Sequence, residues 1–299
     1  MNAPTENFLA FKRGAETREE LHRRLALFNR IRTLPAFPTE NWRHELDDET
    51  TFRFEEGAVV EEERRAVAEA VMEAPHEADA FVQWFEQLAH TGPGQGDPLF
   101  QWLATEANLD QMRWFLAQEV AGEAGFDDLV ALTQVRMPIQ AKLEMARNYW
   151  DEMGRGKRVG MHGPMLELAV KELHLDPTIE TTVWESLALC NVMMALAYHR
   201  QYAFQSVGAL GVIELTAPGR VSLVEKGLAR LGVSSAGRRY FQLHANLDVA
   251  HSREWNREII RPLVAADALC ARALAEGALL RLRCGARCFE RYRVEFGLA

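Results

Sequence analysis

Within YFQLHANLDVAHSREWN, residues 240–256, His244, Asp248 and His251 are spaced i, i+4 and i+7. On a helix turning about 100° per residue these three side chains share one face and converge on one point. Leu243 and Leu247 flank that face, so the polar groups are aimed at a core, where an ionised Asp must be paired or bound to a metal. Two readings remain open for this helix alone: a buried His-Asp-His hydrogen-bond ladder, or a metal or catalytic site.

Three further residues stand on apolar stripes. Glu119 follows Phe115 and Met112 at helical spacing. Taken alone it is equally a helix-end or ion-paired residue. Glu152 ends a helical pattern with Met145 and Tyr149 on its face, before Gly154 and Gly156 break the helix; the alternative is a solvated Asp151-Glu152 pair. His162 opens the stripe Met165, Leu166, Ala169, Leu173, with Pro164 suited to a helix first turn, and would otherwise be an ordinary core histidine. Together these residues make three carboxylates and three imidazoles on inner helix faces. Helical bundles build dinuclear iron or manganese sites from such sets, with carboxylates bridging two metals. Zinc, which favours four ligands, is less natural here. No GxSxG elbow is present for a serine nucleophile.

The elements that must position these residues are helical. Helix-period segments are expected at 18–31, 61–72, 78–90, 97–107, 110–121, 140–153, 162–173, 178–202 and 238–261, with a last helix from 262 toward 289. Valine and isoleucine are sparse and strict alternation is missing, so a sheet is not expected. Residues 1–76 read as a charged helical extension broken by a proline-containing loop at 34–42, and 77–299 as the metal-binding domain. The amphipathic helices of the extension need an apolar partner surface, which predicts a homodimer unless they wrap their own bundle.

Composition excludes several functions. At 299 residues the chain buries a core without needing a metal or disulfide to hold it together. A net charge of −9 argues against nucleic-acid binding. No secretory signal and no uninterrupted apolar run of membrane-spanning length are evident, so a cytoplasmic protein off the membrane is expected. The four cysteines are read as reduced thiols, although Cys284 and Cys288 stand one helical turn apart.

The pieces FLAQE at 115–119, NYWDEMGRGKRVGMH at 148–162 and YFQLHANLDVAH at 240–251 resemble the heme-oxygenase-like diiron oxidases, also described as iron-containing redox enzymes. The second resembles that family's D-E-x-G-x-G run followed by a histidine, and the third its H-x3-D-x2-H. The resemblance covers about residues 77–275. It implies a heme-oxygenase-like bundle of about seven helices, with metal ligands at Glu119, Glu152, His162, His244, Asp248 and His251. It further implies two Fe(II) ions and O2 as cosubstrate. Members hydroxylate amines, desaturate, or cleave carbon-carbon bonds of small molecules of amino-acid or fatty-acid type, often with an external electron donor. Some carry a glutamate three residues before the His162 position, which is Val159 here, and the departure bears on which reaction branch applies. Glu214 matches an acid often found near the cavity, which gives it a substrate or catalytic role; otherwise it is a structural acid near a helix end. The alternatives are a metal-free hydrolase or cofactorless oxidase of the same architecture, or a non-catalytic helical binding module.

Overall fold

The computed structural model describes residues 17–122 and 125–298. They form thirteen α-helices: α1 (Arg18–Thr33), α2 (Trp42–Val71), α3 (Ala78–Thr91), α4 (Pro98–Thr105), α5 (Leu109–Gly122), α6 (Phe126–Thr133), α7 (Ile139–Glu152), α8 (His162–Glu172), α9 (Trp184–Tyr198), α10 (Ala203–Arg230), α11 (Ser235–Trp255), α12 (Arg261–Ala266) and α13 (Leu269–Phe296). No strand forms among the described residues; one isolated bridge joins Met153 and Met161. The all-α expectation therefore holds, but the helices outnumber the seven expected. Helices α1 and α2 are the expected extension, and short pieces such as α4, α6 and α12 account for much of the difference in the remainder.

Local chemistry sets several boundaries. Thr17 and Glu20 make a reciprocal capping box at the start of α1. Asp97 caps α4 with Pro98 in its first turn, and Ser234 caps α11. Residues 34–41 form the loop expected between α1 and α2, but α2 begins at Trp42 and runs for 30 residues, well ahead of the pattern read from 61.

The largest departure from expectation is α10. No helix is expected between 202 and 238, where Gly208, Gly211, Pro218 and Gly219 have poor helix propensity, yet Ala203–Arg230 is one helix of 28 residues. Gly208, Gly211 and Gly227 lie where other elements press close, whereas Gly219 has open space around it. A Cβ on Gly208 would sit 2.0 Å from the Leu274 carbonyl oxygen, and one on Gly277 of α13 would sit 1.8 Å from that of Gln205. The backbones of α10 and α13 thus cross in contact, a tertiary gain that outweighs the local cost of glycine of about 1 kcal/mol each. Gly277→Ala should lower stability by about 3 kcal/mol, the upper end of ordinary overpacking, because backbone rather than a flexible side chain is the obstacle. An unchanged urea midpoint would refute this close crossing.

Segment Arg200–Arg230 is long and apolar enough to cross a membrane by length and composition, but half of its most apolar window is buried inside the bundle. Its neighbours are α4, α9, α11 and α13, as befits a central core helix. The remaining core divides into a cluster around Phe81, Phe85, Met145, Leu210, Trp255 and Leu274 and another around Leu99, Phe115, Leu173, Leu228, Phe289 and Tyr292.

Helices α1 and α2 lie against α9, and α2 also against α13. Val60, Val67 and Val71 of α2 belong to the same cluster as Phe81 and Leu274. Part-buried charges pin the same contact, with Glu63 accepting from Arg283 and Arg287 at 2.6 Å each. Cys284 and Cys288 are buried free thiols, and burial pushes the Cys284 thiol up to about 11, so it is protonated and inert at neutral pH.

Candidate metal centre

The turn between α7 and α8 brings Glu152 and His162 face to face. Gly154, Arg155 and Gly156 all adopt positive φ (60°, 53° and 79°), which reverses the chain within a few residues. Any Cβ on Gly154 would lie 2.3 Å from the Gly160 carbonyl carbon, so the two limbs of the turn touch. The Met153–Met161 bridge closes the turn, and Glu152 Oε2 meets His162 Nδ1 immediately beyond it. The glycines expected only to stop a helix thus also clamp two site residues together.

Helix α11 presents His244, Asp248 and His251 on one face, as their spacing predicts. Asp248 and His251 are buried, at 3% and 5% exposure, as are Glu152 at 4% and His162 at 5%. Glu214 joins them from α10 at 2% exposure. It stands in mid-helix rather than near a helix end. Pro218, four residues on, has no N–H to give the Glu214 carbonyl, so the carboxylate sits where the helix ladder is interrupted. Directly after α11 the rod passes through a π-helical segment, Asn256–Ile260, a distortion frequent near functional sites.

Two groups of ligand atoms result, each with its atoms within 4.8 Å of one another: Glu152, His162 and His244, and Glu152, Glu214 and His251. Glu152 belongs to both. Asp248 is in neither group, yet it is buried among the same residues. Glu119 is also in neither. Its carboxylate accepts the Tyr292 hydroxyl at 2.9 Å and borders the cavity that reaches the site.

Neighbouring groups set the ring orientations. His244 Nδ1 donates to the Tyr240 carbonyl at 2.8 Å, which leaves Nε2 bare. His251 Nε2 donates to Asp151 Oδ2 at 3.2 Å, and Nδ1 lies 3.5 Å from Glu214 Oε2, without hydrogen-bond geometry. Asn148 Nδ2 holds Glu214 Oε1 at 2.7 Å. These partners fix which nitrogen faces inward, the usual service to a metal-binding imidazole. Asp151 is the acid that precedes Glu152 in the D-E-x-G-x-G run, but its role and that of Asn148 could not be read there, since their partners lie 100 and 66 residues away.

Electrostatically the site is strained without a cation. Burial and the Glu214 charge push the Glu152 carboxyl up to about 9. Burial, then Glu214 and Glu152, raise Asp248 well above the carboxylate range. Burial lowers His162 and His244 to about 4, so both are neutral donors at pH 7. Burial also lowers His251, but the Glu214 and Asp151 carboxylates outweigh it and lift this imidazole to about 9.

Iron fits this donor set on two observations. Nε2 of His162 and Nδ1 of His251 are buried without a hydrogen bond, a costly state for imidazole that a metal would relieve. The donors are mixed carboxylate and imidazole without thiolate, which suits iron or manganese.

Fold and site define an all-helical protein that gathers buried carboxylates and histidines between helices into two overlapping groups with the donor atoms to hold a metal. The chain belongs to the iron-containing redox enzyme family, which residues 113–286 match, more than half of its length. A CADD-like protein of unknown function from Nostoc punctiforme shares the fold in two crystal structures. One, at 2.00 Å resolution, has a TM-score of 0.56 and 17% identity, covering 71% of this chain and 95% of that one. The other, at 1.35 Å, has a TM-score of 0.55 and 15% identity, covering 73% and 95%. No curated protein matches the chain.

Proposed function

We propose that the protein is a nonhaem dinuclear iron oxidase that uses O2 to oxidise a small organic molecule. The observation that carries this reading is that Glu152 is common to both candidate ligand groups, so that one carboxylate would serve two ions. In this reading one ion is held by Glu152, His162 and His244 and the other by Glu152, Glu214 and His251, with Asp248 completing the set. Glu214 thereby moves from a substrate role to a ligand role. Glu119, tied to Tyr292, becomes a wall of the substrate chamber.

Two ferrous ions held there would supply the electrons with which O2 is reduced, while an external reductant restores them. The protein's own contribution is positional. Asp151 and Tyr240 aim the imidazoles, Asn148 steadies Glu214, and the Gly154 turn keeps Glu152 against His162. A cavity of about 210 Å³ adjoins the ligands Glu152, Glu214, His244 and Asp248, with Phe115, Leu189 and Ile213 among its apolar walls. Such a chamber would hold a small substrate beside the metals.

Anaerobic titration of the metal-free protein with ferrous iron should saturate near two ions per chain, as two overlapping groups require. Exposure to O2 should then give a transient visible absorption. Absence of specific uptake would return the six residues to a buried hydrogen-bond network.

A further inference from the structure

The chamber that reaches the ligands is also lined by two arginines, Arg220 of α10 and Arg281 of α13. Interior arginines elsewhere in the protein face carboxylates: Arg64 meets Glu276, Arg238 meets Glu225, and Arg287 meets Glu63. Arg220 has only neutral hydrogen-bond partners, donating to Gln95 Oε1 and Thr216 Oγ1 at 3.3 Å each. Its guanidinium lies 5.5 Å from the Phe289 ring centre and 5.8 Å from that of Phe100. Neither Arg220 nor Arg281 makes an ion pair with a carboxylate among the described residues. Glu119 is the one acid whose charge bears on Arg220, and Tyr292 already occupies one of its oxygens. Burial and the neighbouring Arg281 bring Arg220 down only to about 10, so it keeps its charge at neutral pH.

A desolvated guanidinium without a counter-charge is costly unless a ligand supplies one. Burial pushes the Glu119 carboxyl up, and even ionised it would match only one of the two guanidiniums, which leaves positive charge for an anionic ligand. Arginine's planar fork suits a carboxylate. The other walls, including Phe115, Leu116, Leu189, Val224 and Phe241, suit a hydrocarbon body. Arg220 stands six residues along α10 from Glu214, roughly 9 Å of helix rise. A ligand bound by its anionic head at Arg220 would therefore have its apolar body within reach of the metal ligands.

We infer that Arg220 and Arg281 form the carboxylate-binding subsite of the chamber, and that the substrate is a monocarboxylic acid with an apolar body, held head-first away from the metals. The inference rests on the chamber being the substrate site of the proposed oxidase.

Calorimetric titration with octanoate and with 1-octanol tests it, on the metal-free protein and again after anaerobic loading with ferrous iron. Octanoate should bind both forms, and octanol at least tenfold more weakly. R220Q and R281Q should each lose at least tenfold in octanoate affinity while octanol binding, helix content and iron stoichiometry stay unchanged. R220K, which keeps the charge, should retain more of the affinity than R220Q. Equal octanoate affinity in the Gln variants, equal binding of acid and alcohol, or no octanoate binding by the unaltered protein would overturn the subsite. Loss of the iron reading shows separately, as absent iron uptake with octanoate binding intact.

Discussion

Glu152→Gln should empty both metal positions at once. Glutamine keeps the volume and one acceptor oxygen but not the charge, and this carboxylate alone belongs to both ligand groups. Iron bound after anaerobic loading and desalting should fall from near two per chain to below about 0.2, since loss of a shared anionic ligand weakens each site and metal affinity requires deprotonated donors. His162→Ala and His251→Ala each touch one group, and each should leave roughly one ion bound. Helix content should survive in all three, because none of these residues belongs to the core clusters around Phe81 and Leu99. The metal-free glutamine variant should be no less stable than the metal-free parent, since it replaces a buried acid that burial and Glu214 already disfavour as an anion. Retention of one full equivalent of iron by Glu152→Gln would show that the two groups do not share this residue.

The sequence made one part of this arrangement legible and hid another. His244, Asp248 and His251 are local to one helix, so the helical period alone places them on one face. Glu152 and His162 lie at the two ends of a short glycine turn, and the motif that contains them resembles the family run. Glu214 was harder, because its setting depends on recognising α10. Gly208, Gly211, Pro218 and Gly219 each carry an unfavourable local helix propensity, and only the crossing with α13 and the contact of Gly211 with Trp255 explain why the segment is helical. Asp151 and Asn148 are polar residues of common type whose roles exist only through partners on α11 and α10. Glu119 shows the opposite limit. Its place on an apolar stripe holds, since it borders the buried chamber, but the same pattern serves a carboxylate bonded to Tyr292.

In the fold, boundaries set by local chemistry were legible and lengths set by tertiary contact were not. The caps at Thr17, Asp97 and Ser234 fall within a few residues of the expected starts. The polar first half of α2 carries little apolar pattern, yet Phe52 is 1% exposed and Glu56 is held by Arg32 and His199. Buried ion pairs of this kind leave no hydrophobic period to read.

The metal-free protein should lose stability steeply as pH rises above about 6.5, and iron should reverse the trend. Glu152 and Asp248 bind protons more tightly folded than unfolded, so their contribution is full below the ordinary carboxylate pKa and is lost as pH rises toward about 9, the folded value of Glu152. His162 and His244 have the opposite sign: with folded values of about 4 they favour the fold above 6.5, and that contribution is lost as pH falls through 4. From about pH 4.5 to 6.5 two carboxyls and two imidazoles therefore oppose each other and stability changes little. Above 6.5 the imidazoles no longer contribute a slope, and His251, lifted to about 9, joins the carboxyls. A single group shifted from 4.5 to about 9 is worth on the order of 6 kcal/mol over its window, comparable to the whole stability of many domains. Metal takes the place of these protons, so loading at pH 7 should release protons from Glu152, Asp248 and His251, and the rise in Tm on loading should grow from pH 6 to pH 8. Thermal melts across that range with and without ferrous iron, together with proton release in weak buffer, measure both quantities. A flat metal-free profile above pH 6.5 would mean that the buried carboxyls are compensated by groups outside this cluster. Loading without proton release would mean that the metal binds elsewhere.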